Sequence, residues 1–182
     1  MCQIKLCNHP PQVKYATLGS RIQVFEPYAL KLHIELQYPL IEADTLRTVA
    51  HREKTKAEEA FVYLGTTEAW QQFGKPTPEN VTKGLVAVRR AMRPYVSKEI
   101  EKFPNTLIME AAFLDPHDLA GIGERILIVT TSEEQHQLQY FRHRERNSYH
   151  AEVFRVARIL QEYLIQEASV LGVSVVENNL QT

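Results

Sequence analysis

Residues 38–47 read YPLIEADTLR. A run of strand length, apolar without alternation, ends in Glu42, and Asp44 and Arg47 follow at once. Such a run suits a strand buried on both faces, as in a parallel sheet. Four more stretches have the same character: 13–18 (VKYATL), 106–111 (TLIMEA), 125–131 (RILIVTT) and 173–178 (VSVVEN). Long helical patterns separate them. Thr77 can cap a helix that has Pro78 at its first position, and Val81, Leu85, Val88, Met92, Val96 and Ile100 follow at helical spacing. Pro94 falls inside that stripe and is expected to kink or split it. The SEEQ stretch from Ser132 has capping-box form. The clearest helix spans 148–171, with Val153, Val156, Ala157, Leu160, Leu164, Ala168 and Leu171 in one stripe and Gly172 as its stop. Strands alternating with such helices predict an α/β fold, a parallel sheet of about five strands flanked by helices in three layers and linked by right-handed crossovers.

Residues 30–38 (LKLHIELQY) fit this scheme least well. Leu30, Leu32, Ile34, Leu36 and Tyr38 alternate with polar residues, which favours a strand. Pro27 as a helix start and Lys31 with Glu35 one turn apart support a helix instead. Residues 1–37 are therefore read as irregular, within a single domain of 1–182.

The chain has 182 residues, 44% hydrophobic and 24% charged, with a formal net charge of −1. These are values of a soluble globular domain, and the charge gives no reason to expect nucleic acid or an anionic membrane as partner. No apolar run reaches the roughly 18 residues of a membrane span, and the first residues lack the apolar core of a signal peptide. Cys2 and Cys7 are the only cysteines, read as reduced thiols, and His9 beside them does not complete a metal set. The expected location is the cytoplasm.

From residue 38 onward the chain resembles the 2-phosphoglycerate kinase family of P-loop kinases. Four blocks carry the likeness: LQYPLIEADTLR, GTTEAW (65–70), NTLIMEAAFLDP (105–116) and HAEVFRVARILQEYLIQEASVLGVSVVENN (150–179). The resemblance implies a kinase-like fold, phosphoryl transfer from ATP with Mg²⁺, and a small anionic hydroxy acid as acceptor and partner. It also places a phosphate-gripping loop at residues 19–27, which read GSRIQVFEP. Of the loop's pattern only Gly19 survives; Phe25 stands for the lysine and Glu26 for the metal-binding hydroxyl. In such a loop the lysine and backbone N–H groups neutralise phosphate and the hydroxyl holds the metal. The loop is degenerate or missing, so a non-catalytic relative that binds an anionic metabolite or a protein stands as the alternative to a kinase.

The candidate catalytic residues are Asp44, which would meet the acceptor hydroxyl, and Glu110, which would orient Mg²⁺ or its water. Arg47 and Arg158 would hold the acceptor's anionic groups. Arg142, Arg144 and Arg146 would form a basic lid facing the transferred phosphoryl group. Plainer roles compete with each of these: Asp44 as a helix cap, Arg47 as a solvated charge, Glu110 as the partner of an arginine, Arg158 paired with Glu162 one turn on, and the three lid arginines as a solvated face with Glu133, Glu134 and Glu145. Asp115, His117 and Asp118 are spaced as a turn, not as a metal site.

Overall fold

The strands β1 (Tyr15–Leu18), β2 (Leu40–Glu42), β3 (Ile108–Glu110), β4 (Ile126–Thr130) and β5 (Ser174–Glu177) are short and all parallel. They lie in the order β2-β3-β1-β4-β5. This is a computed structural model, and it describes residues 15–18, 26–103, 106–119, 126–142 and 144–177. The helices are α1 (Glu26–Leu36), α2 (Leu46–Glu53), α3 (Ala60–Tyr63), α4 (Pro78–Ile100), α5 (Pro116–Leu119), α6 (Glu133–Phe141) and α7 (Ser148–Leu171). Two 3₁₀ turns, Ala43–Thr45 and Ala69–Phe73, complete the connection between β2 and α4.

The order fixes where a ligand can sit. The connection from β1 leads one way, to β2, while those from β3 and β4 lead the other. Chains diverging from neighbouring strands leave a crevice at their carboxyl ends. Right-handed crossovers put α1 on one face of the sheet and α4 and α7 on the other. The main core lies on the second face, where Leu85, Val88 and Met92 of α4 and Leu160 and Leu164 of α7 pack with Leu107 and Met109.

Local signals account for the helix ends. Thr77 Oγ1 accepts from Asn80 N at 3.3 Å, Ser132 Oγ from Gln135 N at 3.2 Å, and Asn147 Oδ1 from His150 N at 2.9 Å. Gly172 ends α7 in the left-handed conformation, φ 67°. Pro94 does not split α4, which runs unbroken from Pro78 to Ile100. The strand expected over 30–38 is a helix instead: α1 covers Glu26–Leu36, so residues 26–36 are not irregular. Lys31 and Glu35 meet across one turn at 3.8 Å, and Gln37 stops the helix at φ 57°. The alternating apolar residues wind around it, leaving Leu30 47% and Ile34 60% exposed.

Candidate functional site

The carboxyl edge of the sheet collects most of the residues singled out above. Glu42, Glu110 and Thr17 stand in register on β2, β3 and β1, and Thr17 pairs with Leu127 on β4. Glu110 thus closes its strand beside central β1, half-buried at the crevice. Residues 19–25, which hold most of the stretch where the resemblance led one to expect a phosphate loop, lie outside the described residues.

Asp44 sits in the 3₁₀ turn directly after β2 and makes no cap. Its Oδ1 accepts from Arg47 Nε at 3.3 Å. Arg47 is only 8% exposed. Its Nη1 donates to the carbonyls of Val62 (3.0 Å) and Leu64 (2.8 Å), and its guanidinium lies 4.9 Å from the ring centroid of Phe113. One side chain therefore ties the turn holding Asp44 to α3 and to the segment after Glu110. The buried charge has a carboxylate and two carbonyls as company, which is what a cation out of water requires. This arginine positions Asp44.

Arg158 lies on the half of α7 nearer the carboxyl edge. Its Nη1 donates to the carbonyl of Thr131, the residue after β4, at 3.0 Å, and Gln161 Nε2 donates to the same oxygen at 2.8 Å. It does not pair with Glu162, and among the described residues no carboxylate meets it. Beside it His136 is 1% exposed, and burial first, then the charge of Arg158, hold its pKa down to about 4. Among the described residues, Thr131 Oγ1, both His136 ring nitrogens, Arg158 Nε and Gln161 Oε1 are buried without a hydrogen-bond partner. Sequence reasoning missed Thr131 and Gln161; polar Gln161 amid the apolar stripe of α7 was the available signal.

Arg142, Arg144 and Arg146, expected from the sequence to form a lid, end α6 and lead into α7. Arg144 donates to the carbonyl of Tyr140 at 3.1 Å and lies 4.7 Å from that ring's centroid, and Arg146 lies 5.4 Å from that of Phe141. Arg142 is exposed at the C-cap of α6. Among the described residues, none of them forms an ion pair with Glu133, Glu134 or Glu145. Tyr149 Oη donates to Glu68 Oε1 at 3.3 Å, joining the start of α7 to the GTTEAW segment. The charge of Glu68 holds that phenol above its usual range.

Asp115 accepts from the backbone N–H of His117 at 2.9 Å, as a turn residue does, and Asp118 pairs with Arg93 at 2.8 Å. Ligand atoms of Asp115, His117 and Glu167 lie within 4.8 Å of one another. Arg89 already holds Glu167 in a two-pronged bond (2.7 and 2.8 Å), and Tyr163 adds a third at 2.9 Å. Burial pushes the Glu167 carboxyl up, but Arg89, helped by Tyr163 and His117, outweighs it and keeps the group below its ordinary value. A metal there would have to displace a guanidinium.

The structure of TT1252 from Thermus thermophilus aligns with a TM-score of 0.57 over 92% of this chain and 90% of that one, at 16% identity. The two chains share one α/β fold. Shikimate kinase from Bacteroides thetaiotaomicron (TM-score 0.48, 12% identity, 93% of this chain and 89% of that one) and dephospho-CoA kinase from Campylobacter jejuni (0.44, 12%, 92% and 89%) align more loosely. No protein-family model matches the chain, and no curated protein sequence does. Among the described residues, no helix is long and apolar enough to cross a membrane.

Proposed function

We propose that the chain is a kinase-type α/β protein that holds a small anionic hydroxy acid at the carboxyl edge of its sheet and does not grip Mg·ATP in the usual way. The observation that carries this reading is Arg158. Its guanidinium is half-buried at the end of β4, bonded to a carbonyl and, among the described residues, met by no carboxylate. A cation in that setting attracts a phosphate or carboxylate. Asp44, fixed by Arg47, is the group placed to meet a ligand hydroxyl, and Arg142, Arg144 and Arg146 supply positive charge on the lid side. Glu110 marks the far wall.

ATP with Mg²⁺ fits the residues present poorly. Residues 19–26 contain one glycine, no lysine and no threonine, with Phe25 and Glu26 where the ammonium and the metal hydroxyl belong. Removing one oxyanion donor from an active site costs about 10²–10³ in rate, and here several are gone together. Binding without transfer is what remains.

The test is a thermal-shift and calorimetric panel of 2-phosphoglycerate, 3-phosphoglycerate, glycerate and Mg·ATP. The phosphorylated acids should raise the melting temperature saturably, by mass action, and Arg158→Gln should weaken them at least about tenfold. The absence of a shift with any acid would refute the reading. Transfer from labelled ATP that Asp44→Ala abolishes would overturn the claim that nothing is transferred.

A further inference from the structure

A cavity of about 310 Å³ opens between the end of α2, the start of α3 and the C-terminal half of α4. It lies away from the carboxyl edge, because α2 runs back from that edge and α4 leads into the amino end of β3. Its size suits a small molecule. Val62, Ala91 and the ring of Tyr95 give it an apolar wall.

The charges lining it are specific. Lys98 Nζ lies 3.9 Å from Glu53 Oε1, so those two offset each other. Lys54, Arg90 and Glu59 also line the cavity, and among the described residues none of them has an ion-pair partner. Two cations and one carboxylate are thus left to face an occupant. The backbone adds one more group. Pro94 has no N–H, so the Arg90 carbonyl loses the bond that residue 94 would give it. That carbonyl lies on the stretch between Arg90 and Pro94, both of which line the cavity. Tyr95 Oη, which burial first and then the charges of Glu53 and Glu59 keep protonated, faces the same carboxylates.

We propose that this cavity binds an acidic α-amino acid. Its two carboxylates complement Lys54 and Arg90. Its ammonium complements Glu59 and the Arg90 carbonyl that Pro94 cannot bond, and its methylene chain lies on Val62 and Tyr95. The charge pattern of the ligand, two negative and one positive, is the complement of the groups the protein leaves unpaired.

The experiment is isothermal titration of the full chain with L-glutamate and L-aspartate, and with two analogues of glutamate that each lack one charged group. Glutarate lacks the ammonium and L-glutamine lacks the second carboxylate. At least one acidic amino acid should bind saturably, and both analogues should bind at least about tenfold more weakly. Arg90→Ala and Glu59→Gln, both of polar side chains at the cavity rim, should each cost about tenfold or more. Pro94→Ala restores an N–H to the Arg90 carbonyl and should weaken glutamate while leaving glutarate unchanged. Three results would overturn the proposal: no saturable heat at 10 mM of either amino acid (about the weakest binding titration resolves); glutarate binding as well as glutamate; or binding lost in Arg158→Ala and kept in Arg90→Ala, which would put the ligand at the carboxyl edge.

Discussion

His136 shows how much one buried side chain can govern. It packs against Phe154, ring centroids 4.9 Å apart, and feels the charge of Arg158. Folded, it takes a proton only near pH 4, whereas unfolded it does so near 6.5. The unfolded chain therefore gains protons first as pH falls. Stability is full above about pH 6.5 and declines towards pH 4, at about 1.4 kcal/mol per unit and about 3 kcal/mol in all. Urea denaturation from pH 7 to 4 should show this loss, and His136→Leu should remove it; an identical slope in the variant would refute the assignment. The surroundings of Arg47 could not be read from the sequence in the same way. Asp44 was within reach because it follows a strand by two residues. The carbonyls of Val62 and Leu64 that bury Arg47 lie fifteen and seventeen positions on, and a backbone acceptor leaves no mark in side-chain identity.

At the scale of elements, α4 depends on a missing side chain. A Cβ at Gly84 would stand 2.6 Å from Trp70 N and 2.8 Å from the carbonyl carbon of Ala69, so the 3₁₀ turn Ala69–Phe73 lies directly on the helix. Alanine is the better helix former by about 1 kcal/mol, but here the backbones would have to part. Gly84→Ala should therefore destabilise by about 1–3 kcal/mol in chemical denaturation, and a stabilised variant would show that the two elements are loosely joined. The long helices were legible because their caps and stripes agree. α1 was not. Its alternation of Leu30, Leu32, Ile34 and Leu36 suggested a strand, yet among its residues whose burial the structure describes, Ala29 is the one fully buried. A helix that buries so little of its apolar surface carries no 3.6-residue signature to detect.

Over the whole molecule, α4 and α7 are locked by Arg89 and Glu167, side chains 4% and 8% exposed. Removing one member strands the other's charge, so Arg89→Met should cost about 3–5 kcal/mol. Arg89→Met combined with Glu167→Leu should recover most of that, because an apolar pair needs no solvation. Equilibrium unfolding of the single and double variants measures both, and a double variant no better than the single would refute it. Both residues lie beside the apolar stripes of their helices, a visible irregularity in the sequence whose pairing across 78 positions was not visible. The alternation of strands and helices was legible because parallel strands buried on both faces must be apolar throughout; the lateral order of the strands was not, since pattern does not record neighbours. A helix of 24 residues is about 36 Å long. α7 is fastened near the crevice by Arg158 and Gln161 and, two turns further on, to α4 by Glu167. It works as an axle keyed at its middle and near its far end: whatever twists the rod at Thr131 loads the Arg89 joint as well, so an occupant of the crevice should be audible in the slowest-exchanging amides of α4.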